Sequence, residues 1–177
     1  EDQVAPKRVS HHRGIEHLVE MGEMTGKIRA AVDARTDSDF VIIARTGAVR
    51  NESFEKAIER GNAYADAGAD LVMLMPTNET EWQEAPRRFD VPVATITSLD
   101  ARLPAEWASL GWDLIIDPFT AQTAAVDAIS NAYQQFRQSG TTGLDRNDIF
   151  AHYRLLADIA GLQEFYEIED RTTENSS

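Results

Sequence analysis

The sequence predicts an α/β fold built on a parallel sheet, and three observations carry that expectation. Short continuous apolar runs recur along the chain: Phe40-Val41-Ile42-Ile43-Ala44, Leu71-Val72-Met73-Leu74-Met75, Val91-Pro92-Val93-Ala94-Thr95-Ile96 and Leu114-Ile115-Ile116. Runs of this length without polar alternation suit strands covered on both faces, as parallel strands are. Each run is followed by a segment with helical spacing, and strands alternating with helices imply βαβ units.

The elements follow in order. Glu1-Asp2-Gln3 should lie at the end of a strand, because residues 20–35 place Met21, Met24, Ile28, Ala31 and Val32 on one side of a helix. Phe40 to Ala44 is the next strand, with Arg45-Thr46-Gly47 directly after it. Asn51 or Ser53 can cap the helix that carries Phe54, Ala57, Ile58, Gly61, Tyr64 and Ala65, and Gly68 is placed to end it. The cycle repeats: strand 71–75 with a helix over residues 80–88, strand 91–96 with 104–110, strand 113–116 with 121–138. Parallel strands should end near Gln3, Arg45, Met75, Thr97 and Asp117, putting the candidate polar residues on one face.

A closed (β/α)8 barrel of the TIM type takes about 250 residues. Four clear strands and a stub in 177 residues therefore predict a partial barrel lacking about three N-terminal strands. Residues 1–140 are assigned to the later βα units. Gly140-Thr141-Thr142-Gly143 is a hinge, and Asp145 caps a helix bearing Ile149, Tyr153, Leu156 and Ile159 that Gly161 stops. Residues 141–170 are thus C-terminal helices, expected to contact another copy in a homo-oligomer, and 171–177 form a polar, disordered tail.

Composition narrows the function. With 42% apolar residues, three Trp and seven Phe, the chain can build a real core. No apolar run reaches a membrane span and residues 1–8 lack a signal-peptide pattern, so a cytoplasmic location without a membrane partner is expected. There is no Cys, hence no disulfide, thiolate ligand or cysteine nucleophile. The net charge of -13 and the absence of a basic cluster argue against nucleic acid. Two readings of the acidity stand: an ordinary acidic enzyme, or a halophilic protein from a high-salt cytoplasm. The scarcity of lysine (Lys7, Lys27 and Lys56) favours the second. The glycines form no phosphate loop or dinucleotide fingerprint, and no spacing of His and carboxylates makes a zinc site. His11 and His12 are adjacent, which suits a loop better than a chelate, and His17 and His152 read as surface or helix-face residues. Asn51-Glu52-Ser53 and Asn78-Glu79-Thr80 match the glycosylation triplet but read as helix caps.

Four segments, EDQVAPKR, GEMTGKIRAAVDARTDSDFVIIARTGA, AIERGNAYADAGADL and GWDLIIDPFTAQTAA, together resemble the isocitrate lyase and phosphoenolpyruvate mutase superfamily, most closely its 2-methylisocitrate lyase branch. The resemblance implies a Mg2+-dependent barrel enzyme that acts on a small 2-oxo or 2-hydroxy carboxylate. Glu1 falls on a carboxylate of the family's metal shell. Arg45 falls on its substrate-binding arginine, and Lys7 and His11 flank its mobile loop. Val9 stands where lyases of the family carry a proton-donating cysteine, and valine transfers no proton. Ser10 replaces the following glycine, Gly47 an aspartate, Met75 a glutamate, Thr95 an asparagine, Ser98 a glutamate and Thr123 an arginine, while Thr97 is kept. The resemblance thus implies binding through Arg45, His11, Lys7 and Thr97 with metal at Glu1. It also implies loss of the usual cysteine-dependent carbon–carbon cleavage, leaving altered lyase-like or mutase-like chemistry. The alternative is a catalytically inactive homologue serving as a ligand-binding or oligomer subunit.

Overall fold

The structure, a computed structural model, describes residues 1–7 and 17–173. Val9, Ser10, His11, His12 and the last residues of the tail lie outside them. Two units divide the chain, residues 1–120 and 121–177.

The first unit is a four-stranded, wholly parallel sheet. Its strands β1 (Ile43–Arg45), β2 (Leu71–Met73), β3 (Val93–Ile96) and β4 (Leu114–Ile116) stand side by side in chain order. The connections are α1 (Met21–Ala34) before β1, α2 (Ala48–Asn51) and α3 (Phe54–Asp66) after it, α4 (Glu79–Glu84) after β2 and α5 (Pro104–Leu110) after β3. Consecutive parallel strands, each followed by a helix, are the architecture the apolar runs predict. The expected strand at residues 1–3 is only a fragment beside β1: the Asp2 N–H donates to the Arg45 carbonyl (3.1 Å), and Gln3 forms an isolated antiparallel bridge with Leu18.

Register fixes which side chains face the helices. Ala44 pairs with Val72 and Val72 with Val93, and these three pack under the helices in two apolar clusters. The first also contains Ala57, Ile58, Leu74, Trp107 and Trp112; the second contains Met24, Ile28 and Tyr64. Successive strand residues point to opposite faces. Arg45, Met73, Ala94 and Leu114, which pair in turn, therefore lie on the other face, and Ile96 pairs with Ile116 there. The three tryptophans make edge-on contacts outside the sheet, and Trp112 Nε1 donates to the Trp82 carbonyl at 3.0 Å.

Caps set the helix starts. Ser53 accepts from the Lys56 N–H and begins α3, whereas Asn51 ends α2 and donates from its side chain to the Gly47 carbonyl. Asn78 caps α4 in the same way as Ser53 caps α3. Gly68 leaves α3 at φ 107°, a conformation that favours glycine. Gly61 gives the Phe89 ring room on α3: a Cβ there would sit 2.5 Å from a ring carbon.

The second unit holds most of α6 (Thr120–Ser139), with α7 (Arg146–Ile159) and α8 (Leu162–Thr172). Asp145 caps α7, and Gly161 at φ 66° separates α7 from α8. Helix α8 runs through residue 172, so the first residues assigned to a disordered tail are helical. No described residue of this unit is buried. Val126, Ile129, Tyr133 and Phe136 form an exposed apolar stripe on α6, and Ile149, Tyr153, Leu156 and Ile159 another on α7. Among the described residues no helix is long and apolar enough to cross a membrane.

Candidate functional site

The carboxyl ends of the strands converge on a cavity of about 590 Å³. Arg45 enters it from the end of β1, Met75 and Pro76 from just past β2, Ile96 from the end of β3, and Pro118 and Phe119 from the turn after β4. Thr46, Gly47, Val49, Arg50 and Thr77 complete the lining. None of these side chains is a carboxylate, imidazole, thiol or phenol. The lining is two arginines and two threonines beside apolar surface, without a group suited to exchange protons near neutral pH.

Glu1 stands behind Arg45. Arg45 Nη1 lies 3.1 Å from one Glu1 oxygen, and Lys7 Nζ pairs with the other. Burial pulls the Glu1 carboxyl upward, but the Lys7 hydrogen bond and the charges of Arg45 and Lys7 outweigh it and hold the group below its ordinary value. Three of the residues singled out from sequence, Glu1, Lys7 and Arg45, are thus brought together. Thr97 is not with them. It follows β3 and donates its backbone N–H to the Ile116 carbonyl, while Ile96 supplies the cavity wall. Thr95 likewise belongs to the helix-facing set: it pairs with Ile115, it is fully buried, and its hydroxyl has no hydrogen-bond partner. Val9 and His11 lie outside the described residues.

The carboxylate that organises this corner is Asp2, which the sequence does not single out. Strand alternation turns it away from Glu1 and toward α3. There it is almost fully buried, accepts from the Tyr64 hydroxyl at 2.8 Å and the Gly47 N–H at 3.0 Å, and lies 3.7 Å from Arg60 Nη1. Burial pushes the Tyr64 phenol well above its ordinary value, so the hydroxyl stays protonated and donates. Arg60 extends the network to the Val19 carbonyl and, through two hydrogen bonds of 2.6 and 3.0 Å, to Glu52. The only advance signal was the placing of Arg60 and Tyr64 one turn apart on α3.

Glu52 titrates with consequence. Its hydrogen bonds from Arg60 hold its carboxyl below the ordinary value despite partial burial. A depressed folded-state value means stability that is present above the unfolded-state value, about 4.3, and is lost as the pH falls through the folded one. Glu52→Gln should therefore lower the melting temperature by about 1 to 3 °C at pH 7. In thermal scans the gap should begin to narrow as the pH falls below about 4.3 and close only below the depressed folded-state value, and a constant gap down to acid pH would contradict this assignment.

Across the cavity, Asp117 fixes the Phe119 side of the wall. It accepts from the Thr120 hydroxyl and from the backbone N–H groups of Leu99, Thr120 and Phe119, which hold its carboxyl well below the usual carboxylate range. One ionised side chain thus joins the turn after β4 to the loop after β3. A second hollow of about 460 Å³, lined by Glu20, Met21, Glu52, Ser53, Lys56, Glu59 and Arg60, has charges largely paired among themselves: Arg60 with Glu52, and Lys56 with Glu59.

A metal would find little to hold it here. Among the described residues no group of three His, Asp or Glu is placed to bind one. Glu1 is a single carboxylate with both oxygens engaged by cations. A Mg2+ shell needs about six oxygen ligands, several of them commonly water. Glu1 can be one contributor, and the described residues do not complete the set.

Residues 1–137 match the family described as phosphoenolpyruvate phosphomutase. The 2,3-dimethylmalate lyase of Eubacterium barkeri is 34% identical over 179 residues, covering 96% of this chain and 60% of that enzyme. The 2-methylisocitrate lyase of Salmonella typhimurium is 42% identical over 148 residues, 80% of this chain and 49% of the enzyme. A solved phosphonopyruvate hydrolase in complex with oxalate and Mg2+ superposes with a TM-score of 0.66 at 26% identity, over 98% of this chain and 61% of that one. The chain spans about half to three-fifths the length of the relatives it matches.

Proposed function

The chain belongs to the phosphoenolpyruvate mutase and isocitrate lyase superfamily, and from that premise we propose that it serves lyase-like or mutase-like chemistry on a small 2-oxo or 2-hydroxy carboxylate. The observation that carries this reading is Arg45 at the cavity edge, held by Glu1, with its guanidinium available for a two-point grip on a carboxylate. Mg2+ belongs to the proposal because a superfamily neighbour is in complex with Mg2+ and oxalate. In this chain Glu1 would be one of its ligands, and the described residues do not supply the rest of a Mg2+ shell.

The residues of this chain divide the task. Arg45 orients the carboxylate; Lys7 and Arg45 together keep Glu1 ionised; Asp2 anchors the Gly47 N–H and so fixes the turn that carries Arg45. The expected proton donor is missing from the sequence, since Val9 occupies its place, and the described lining adds none. Cleavage of 2-methylisocitrate or 2,3-dimethylmalate by the cysteine-dependent route is therefore not expected. The second reading, an inactive homologue that binds ligand or builds an oligomer, is favoured by the same lining. An assay of the full-length protein with Mg2+ separates the two: turnover of some 2-oxo or 2-hydroxy acid without cleavage of those two lyase substrates supports the enzyme. Binding without any turnover supports the inactive form, and brisk cleavage of 2-methylisocitrate would overturn the account of Val9.

Association between copies through the C-terminal helices is part of the same proposal, supported by the exposed stripes on α6 and α7. Light scattering should give an oligomer, and Ile129→Glu with Phe136→Glu should shift it toward monomer. A monomeric wild type would contradict this.

A further inference from the structure

We infer that the cavity selects 2-oxo or 2-hydroxy acids bearing an extended aliphatic chain, with the carboxylate at Arg45 and the chain laid across Met75, Ile96 and Phe119. The inference rests on the carboxylate-binding function proposed above and adds the substrate's second half.

The lining is polarised along the sheet. Arg45 comes from β1, Met75 follows β2, Ile96 ends β3 and Phe119 follows β4, so the apolar residues come from strands successively farther from β1 in the sheet. With neighbouring strands about 4.8 Å apart, the apolar wall extends roughly 10 to 14 Å from the anchor. The register makes this arrangement specific. Ile96 pairs with Ile116 on the face opposite the helices, and Ala94 with Leu114, so the surface below the wall is apolar as well. Phe119, half-exposed on the rim, is held over the cavity by the backbone bonds to Asp117.

A second carboxylate at the far end would lose hydration against Met75 and Ile96 and meet no cation from β2, β3 or β4. A methylene chain there loses nothing and removes its own surface from water. Arg50, the other lining cation, comes from α2, the helix that follows β1, as Arg45 comes from β1 itself.

Affinity should therefore climb along the series pyruvate, 2-oxobutanoate, 2-oxopentanoate and 2-oxohexanoate. Each added methylene is worth up to about fourfold when fully covered. We expect at least a tenfold gain from first to last in calorimetric titrations of the full-length protein with Mg2+, and oxaloacetate should bind more weakly than 2-oxopentanoate. Ile96→Asn should flatten the series; Phe119→Ala, a change at an exposed position, gives the same readout should the first variant fold poorly. A flat series whose members all depend on Arg45 would overturn the chain-binding inference and leave the proposed function standing, as would tighter binding of oxaloacetate. No binding of any member, with Arg45→Ala indistinguishable from wild type, would overturn both.

Discussion

Replacing Asp2 by alanine should lower the unfolding free energy by about 3 to 5 kcal/mol, the cost of removing one partner from a buried charged network. The side chain is 1% exposed and its two oxygens serve Gly47, Tyr64 and Arg60. Removing it leaves the Tyr64 hydroxyl without its acceptor and the Gly47 N–H unpaired. Arg60 would keep Glu52 but lose a nearby charge. Since whole domains are stable by only about 5 to 15 kcal/mol, the loss is a large share of the total. Asp2→Asn keeps the shape and an acceptor oxygen, so it should cost less than the alanine change. Urea denaturation of the three proteins checks both statements, and an Asp2→Ala variant within about 1 kcal/mol of wild type would contradict the network's role.

The architecture was legible because the apolar runs are too short for helices and recur at βα spacing. Boundaries were less so. The run from Phe40 to Ala44 reads as a strand, but pairing begins at Ile43. Phe40 is tied into a turn by its N–H to the Asp37 carbonyl, and the Ile42 N–H is taken by Asp70. The position of Arg45 at a strand end was legible because a polar group directly after a buried run marks one. Residues around Thr95 were not: in a strand one position decides the face, and Val91 to Thr97 contains no polar alternation to fix it. Pairing with Leu114 and Ile116 settles it, and the cavity receives Ile96. Asp2 was hidden for another reason. Its partners Gly47 and Tyr64 lie 45 and 62 positions away, and no local pattern announces contacts of that range.

Arg45→Ala should weaken binding of a small 2-oxo acid by about 1.5 to 3 kcal/mol, the scale of a charge-assisted hydrogen bond. Among the described lining residues Arg50 is the one other cation, on α2 rather than at a strand end, and Lys7 is paired with Glu1. The substitution also frees one Glu1 oxygen from its cation, leaving a less compensated negative charge near the anchor. Arg45→Lys should recover part of the loss, because an ammonium keeps the charge but not the planar fork.

The most direct measurement is calorimetric titration of pyruvate into the full-length protein in the presence of Mg2+, for wild type and Arg45→Ala side by side. Saturable binding by wild type and a dissociation constant roughly 10- to 150-fold weaker in the variant is the predicted result. Equal affinities, or no binding by the wild type, would contradict the assignment of this cavity as a carboxylate site.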